Sequence, residues 1–265
     1  MKESISSSTG RRSAIIQMLK QNSNISVIEL SRKFGVSEVT IRKDLNLLKE
    51  RNLLVRTRGG AILHETRKDD NDTSIRFKKL ANFREKKAIG RAAANLIKEG
   101  DTIIIDSGTT ALQVACNLHR FRNLTIITNA LNVAQEVLSY KRFNVILLGG
   151  NIRNASESVV GALAESNLKM FYCDKLFMGV DSFSVENGLS TPNVEEANIN
   201  QLMISRSKEV IAVFDSSKVN KRALAFIATI DKIDKIVTDD GMDKATRSHL
   251  KAMDVDVITV KADPA

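Results

Sequence analysis

Asp106-Ser107-Gly108-Thr109-Thr110 closes the apolar, β-branched run Thr102–Asp106 and leads into a helical stretch around Ala111–Leu118. Hydroxyls and exposed amides at the start of a helix bind anions, and a phosphate suits them well. Other β-rich runs end in comparable residues: Thr128-Asn129, Gly149-Gly150, Gly179-Val180-Asp181 and Asp215-Ser216-Ser217-Lys218. Lys218 can neutralise a phosphate by a charge-assisted contact. Each piece alone is weak, because Ser-Gly-Thr-Thr is more often an ordinary strand-to-helix turn and Gly-Gly more often a bend. Their coincidence at successive run ends counts for more. Glu195 and Glu196 are adjacent carboxylates and admit a catalytic reading. Their place in the first turn of a helix after Pro192 favours a simpler one, in which negative charge suits the helix dipole.

A second set of residues points to nucleic acid. Ser37-Glu38-Val39-Thr40-Ile41-Arg42-Lys43 follows Ile28-Glu29-Leu30-Ser31-Arg32-Lys33-Phe34-Gly35-Val36. This reads as a short helix, a glycine-centred turn, and a helix that opens on a capping serine and then presents cations. Such a unit pushes the N-terminal end of its second helix into the major groove. On a helical wheel Ile41, Leu45 and Leu48 fall on one side, with Val39, Lys43 and Asn46 opposite and Arg42 on a flank. Val39 is out of place on a solvated face, and contact with a thymine methyl accounts for it. A solvated cationic face is the plain alternative for Arg42 and Lys43, and the charge distribution weighs against it. Residues 1–68 hold 14 of the 40 Lys and Arg but 6 of the 31 Asp and Glu, a net charge of +8; residues 69–265 carry +1. A basic module joined to a neutral one is the footprint of a DNA reader attached to something else.

These residues require elements to position them. Ile15, Ile16 and Leu19 give residues 11–21 one apolar stripe, and Asn22-Ser23-Asn24 breaks it. Ser26-Val27-Ile28-Glu29 has the pattern of a capping box, so the second helix starts at Ser26 and runs to about Phe34. Gly35 supplies the permissive turn and Ser37 caps the third helix. The apolar runs on either side of Arg58-Gly59-Gly60 form a β-hairpin, the wing of a winged helix-turn-helix, with Arg56 and Arg58 beside the DNA backbone or minor groove. The expected domains are a winged helix-turn-helix over 1–64, a polar, aperiodic linker over 65–82 and an α/β domain over 83–265. In the last, helices alternate with β-rich runs at Thr102–Asp106, Leu124–Thr128, Phe143–Leu148, Lys175–Val180, Val210–Asp215, Lys235–Thr238 and Val255–Val260. That alternation predicts a largely parallel sheet with helices on both faces, whose ligands sit at the carboxyl ends of the strands.

Composition excludes several classes. Hydrophobic content is 43%, ordinary for a globular chain. No apolar run reaches the roughly 18–20 residues of a membrane span, and Met1–Ser8 lacks the apolar core of a signal peptide, so a cytoplasmic location is expected. Cys116 and Cys173 are isolated, and His64, His119 and His249 are scattered, so neither a metal site nor a disulfide framework is indicated. No cofactor is expected.

The assembled motifs resemble the DeoR-type family of sugar-metabolism transcriptional repressors along essentially the whole chain. Val36-Ser37-Glu38-Val39-Thr40-Ile41-Arg42-Lys43-Asp44-Leu45, Arg56-Thr57-Arg58-Gly59-Gly60-Ala61 and the five strand-end blocks stand in the family's order. The resemblance implies an oligomeric repressor, not an enzyme, released from operator DNA by a phosphorylated sugar. It also implies a sensor domain similar to ribose-5-phosphate isomerase. Within the family, Ser107–Thr110, Gly188–Thr191 and Asp215–Lys218 look most like regulators of N-acetylgalactosamine or galactitol use. Carried over, the DNA contacts are Ser26, Ser37, Glu38, Val39, Thr40, Arg42, Lys43, Arg56 and Arg58. The effector contacts are Asp106, Ser107, Gly108, Thr109 and Thr110, with Asn129, Gly150, Asp181 and Lys218; the serine, glycine and threonines hold the phosphate, and Asp181 and Lys218 face the sugar. The competing expectation is an isomerase-like enzyme fused to a DNA-binding domain. Against it, the isomerases carry a second acidic residue soon after the first, whereas Asp181 is followed by Ser182-Phe183-Ser184.

Overall fold

The computed structural model describes residues 8–21, 24–51, 53–57, 59–63, 75–79 and 81–262. Internal contacts divide the chain into two units, one ending at Phe83 and the other running from Arg84 to Ala262.

The N-terminal unit contains α1 (Ser8–Gln21), β1 (Asn24–Ser26), α2 (Val27–Phe34), α3 (Glu38–Glu50), β2 (Leu54–Thr57), β3 (Gly60–Leu63) and the short α4 (Ile75–Lys78). Both halves of the Ser26/Glu29 capping box are present, and Gly35 ends α2 at φ 64°, the left-handed conformation a glycine adopts without strain. Ser31 Oγ donates to Val36 O at 2.7 Å and pins the turn between α2 and α3. The predicted stripe of α3 packs as expected: Ile41, Leu45 and Leu48 are buried with Ile15, Ile16 and Leu19 of α1 and Leu30 of α2. Burying one such side chain stabilises by about 1.5–3 kcal/mol. Two findings differ from the sequence reading. The wing has a third strand, because β1 pairs antiparallel with β3, Ser26 opposite Gly60. Part of the stretch read as a linker is helical in α4, with Ile75 buried.

The second unit holds α5 (Phe83–Ala94), β4 (Thr102–Ile105), α6 (Thr109–Ala115), β5 (Thr125–Thr128), α7 (Leu131–Leu138), β6 (Asn144–Leu147), β7 (Asn151–Arg153), β8 (Ser158–Val160), α8 (Ala162–Leu168), β9 (Cys173–Gly179), β10 (Ser182–Ser184) and β11 (Gly188–Thr191). It continues with α9 (Val194–Ser205), β12 (Ser207–Val213), β13 (Ala225–Ala228), β14 (Lys235–Asp239), α10 (Lys244–Ala252) and β15 (Asp256–Val260). The seven predicted strands form one sheet in the order β15-β14-β12-β9-β4-β5-β6, and every pairing in it is parallel. β4 shows why its run is continuously apolar: Ile103 and Ile105 pack with Ile89, Val114 and Val133 on one face, while Ile104 packs with Leu168, Ile199 and Met203 on the other. A three-stranded antiparallel sheet, β10-β11-β13, and the hairpin β7–β8 were not anticipated. Because the large sheet is parallel, the predicted ligand residues after β4, β5, β6, β9 and β12 all leave it at one edge.

Candidate functional site

In the N-terminal unit, α3 starts where Ser37 Oγ accepts the Thr40 amide N–H at 3.3 Å and meets Thr40 Oγ1 at 3.0 Å. Val39 is 62% exposed, an unusual exposure for valine. Lys43 and Asn46 are exposed on the same face, and Arg42 pairs with Glu38 at 2.9 Å across one exposed helical turn. Ser26 Oγ is occupied in capping, donating to Glu29 Oε2 at 2.9 Å. Of the wing arginines, Arg58 lies outside the described residues. Arg56 reaches Asn46 Oδ1 at 2.7 Å and Gly60 O at 3.2 Å, so it ties the wing to α3. Asp44, buried on the opposite side of α3, meets Arg11 Nε at 2.6 Å and Arg12 Nε at 3.2 Å and anchors the helix to α1.

At the carboxyl edge of the large sheet, Asp106 is 2% exposed and accepts the Gly179 N–H at 3.2 Å and the Ser107 hydroxyl at 3.4 Å. Burial pushes its carboxyl up to about 8; the Ser107 and Gly179 N–H groups oppose this, and the charges of Glu196 and Asp181 reinforce it. Gly108 stands at φ 115°, and Thr109 and Thr110 are buried. The turn leaves no room beside β9, since a Cβ on Gly179 would lie 2.8 Å from Ser107 O.

A chain of hydrogen bonds links other predicted residues. Asn129, fully buried after β5, donates Nδ2 to Val159 O at 3.3 Å, and its Oδ1 is buried with no hydrogen-bond partner. Beside it Ser158 bridges Ala130 and donates to Glu196 Oε1 at 3.4 Å, which also accepts from Arg153 Nη1 at 3.3 Å. Thr191 Oγ1 lies 3.2 Å from Glu196 Oε2 and 3.3 Å from Asp181 Oδ2. Glu196, through Ser158 and Thr191, thus links the strand ends carrying Asn129 and Asp181, while Asp106 is tied to β9 directly by the Gly179 N–H. Gly150, at φ 151°, contributes by absence: a Cβ there would sit 3.0 Å from Val159 Cγ1 and from Val160 O. Lys218 lies on the 3-10 turn Ser216–Lys218, where its amide donates to Asp215 O at 3.0 Å; Ser216 donates to Asp239, and the Lys221 amide donates to Phe183 O at 3.1 Å.

Three residues of this edge escaped the sequence reading. Glu196 sits in the first turn of α9 as expected, capped by Asn193, and in addition is 7% exposed and the hub of the network. Its partner Arg153 belongs to the unforeseen hairpin. Lys86 of α5 is 3% exposed with Nζ 3.9 Å from Asp215 Oδ2; a lone lysine in a charged helix gives no hint of burial. The only available signal was Arg153 close after Gly149-Gly150, a cation among short β-rich segments.

Residues 11–67 match the DeoR-like helix-turn-helix domain, and residues 81–240 match the DeoR C terminal sensor domain. The chain belongs to the DeoR family. Among curated DeoR-like relatives, it is 35% identical to a putative aga operon transcriptional repressor of Escherichia coli O157:H7, over 97% of this chain and 95% of that one. It is 36% identical to the HTH-type transcriptional regulator GolR of Listeria innocua serovar 6a, over 89% of this chain and 92% of that one. A ribose 5-phosphate isomerase A structure from Methanocaldococcus jannaschii is similar at 16% identity and a TM-score of 0.40, over 54% of this chain and 56% of that one. As a DeoR-family protein with this helix-turn-helix, the chain is a DNA-binding transcription regulator. Among the described residues, no helix is long and apolar enough to cross a membrane.

Proposed function

We propose that the protein represses a carbohydrate-utilisation operon and leaves its operator when a phosphorylated sugar binds at the carboxyl edge of the large sheet. Ser37–Lys43 of α3 read the major groove, with Val39, Arg42 and Lys43 carrying sequence choice. Ser107–Thr110 hold the phosphate with help from Lys218, and Asn129, Gly150 and Asp181 bound the sugar. The observation that carries this reading is the Asp106–Asp181–Glu196 arrangement. It sets the carboxyl oxygens of buried Asp106 and Glu196 and of half-buried Asp181, which can accept sugar hydroxyls, beside a turn of backbone amides and hydroxyls suited to an anion. With its carboxyl near 8, Asp106 is neutral at pH 7 and does not repel a phosphate. Neither relative is named as an enzyme, and Asp181 is followed by Ser182-Phe183-Ser184, with no second acidic residue close by.

The protein acts as a dimer or larger homo-oligomer, since one winged module covers too little DNA for tight selective binding. Calorimetry of the full chain with hexose and pentose phosphates, their parent sugars and inorganic phosphate tests the site. A phosphorylated sugar is expected to bind at least tenfold tighter than its parent. Equal affinities would remove the phosphate from the reading.

A further inference from the structure

Arg56 makes three contacts within the N-terminal unit. Its Nε donates to Gly60 O at 3.2 Å, and its Nη1 donates to Asn46 Oδ1 at 2.7 Å and reaches Arg42 O at 3.5 Å. The Gly60 carbonyl is a fixed acceptor. Gly60 pairs with Ser26 on one side and Thr57 on the other, and a Cβ there would lie 2.3 Å from Ile25 O. The other two acceptors lie one turn apart on α3, and Asn46 shares the exposed face of Val39 and Lys43. The guanidinium therefore spans the wing and the recognition helix. Lysine, a point charge without a planar fork, cannot reproduce that span.

We propose that Arg56 is a specificity-positioning residue rather than a phosphate contact: by holding Asn46 Oδ1 it presents the Asn46 amide to DNA as a hydrogen-bond donor. This rests on α3 entering the major groove. A side-chain amide recognises adenine by a bidentate pair, in which Nδ2 donates to N7 and Oδ1 accepts from the N6 amino group. With Oδ1 engaged by Arg56, the adenine pair is disfavoured. A donor without its acceptor suits guanine, whose O6 and N7 both accept, or thymine O4, better than adenine, whose N7 stands beside the N6 donor that would be left unpaired. The base facing Asn46 is then guanine or thymine, chosen by a residue that touches no base.

The test is selection of binding sites from a randomised duplex library by the full chain and by Arg56→Ala, Arg56→Lys, Asn46→Ala and Asn46→Asp. Salt titrations on one fixed duplex and thermal melts accompany it. The wild type should enrich a motif with guanine or thymine at one position, and Asn46→Ala should erase that preference alone. Arg56→Ala and Arg56→Lys should both move that position toward adenine by about tenfold in enrichment, the worth of one base contact at about 1.4 kcal/mol per decade. The rest of the motif and the salt slope should persist. Asn46→Asp, which keeps an acceptor for Arg56 but loses the donor, should lose the preference without lowering the melting temperature. An unchanged motif in Arg56→Ala, with a salt slope smaller by about one and wild-type affinity in Arg56→Lys, would make Arg56 a phosphate contact and overturn the assignment. Uniform weakening with a lower melting temperature and no base shift would make it merely structural, also against the proposal. A wild-type selection without any motif would sink the groove reading of α3 and this assignment with it.

Discussion

Asp44→Asn should unhinge the recognition helix while leaving the α/β unit intact. The carboxylate lies in the middle of α3 with its side chain 4% exposed, 2.6 Å from Arg11 Nε and 3.2 Å from Arg12 Nε. Asparagine keeps the volume and removes the charge, leaving a guanidinium on Arg11 that is itself 6% exposed. Removing one member of a buried pair costs about 3–5 kcal/mol, because the partner stays buried without compensation. The exposed Arg42–Glu38 pair of the same helix, one turn apart, belongs to a class worth only about 0.3–0.5 kcal/mol. A small domain has a stability of about 5–15 kcal/mol, so a loss near 4 removes about a quarter to most of it. Amide hydrogen exchange on the full chain localises the effect. Protection across Ile41–Leu48 should fall by about two to three powers of ten, at about 1.4 kcal/mol each, with Ile103–Ile105 unchanged. A triple variant with apolar residues at Arg11, Arg12 and Asp44 should recover much of the loss. A cost below about 1 kcal/mol for Asp44→Asn, or equal loss of protection in both units, would refute the buried-anchor reasoning.

Lys43→Ala should change the preferred base at one operator position by about 1–3 kcal/mol; an unaltered motif with uniformly weaker binding would mark Lys43 as a phosphate contact. Asp106 titrates near 8 when folded against an ordinary value of 3.8, so the folded state holds its proton more tightly. Its contribution to stability is therefore full below about pH 4 and lost as pH rises to about 8. Asp106→Asn should gain on the wild type in melting temperature over that window, and phosphosugar affinity should fall through pH 8 in the wild type but not in the variant. Gly179→Ala, whose Cβ would meet Ser107 O at 2.8 Å, should displace the Asp106–Thr110 turn. Operator binding measured by anisotropy should survive, and response to effector should be lost; a normal response would separate that turn from the site.

Strand order within the large sheet could not be read from sequence, but its members could: a central parallel strand buried on both faces is a continuous apolar run such as Thr102–Ile105, and the more exposed edge strands Asn144–Leu147 and Asp256–Val260 are still β-rich. The helix starts were legible for a local reason: Ser26 and Ser37 contact residues three positions on. What escaped was non-local. β1 is three residues with one buried apolar side chain, and only its pairing with Gly60–Ile62, far along the chain, makes it a strand. β7, β8 and β10 are as short, and their pairing was invisible for the same reason. At the carboxyl edge of the sheet, the residues that follow the strands could be listed from position alone. The place of Glu196 in the first turn of α9 was legible because it follows a local rule, while its burial against Arg153, Ser158 and Thr191 depends on the tertiary fold and was not.

In the proposed function one chain couples a phosphosugar at the sheet edge to release of DNA by α3. The most direct measurement of that coupling is the affinity of the full-length protein for a labelled duplex carrying its selected motif, with and without saturating phosphosugar, for the wild type and Gly108→Val. Gly108 stands at φ 115°, where valine is strained whatever the space around it. A coupling of about 1–3 kcal/mol predicts roughly a 5–150-fold loss of wild-type affinity with effector. That loss is expected with the phosphorylated sugar only, and Gly108→Val should be effector-blind while binding the duplex normally. Wild-type affinity indifferent to every sugar phosphate, or released equally by Gly108→Val, would contradict the coupling.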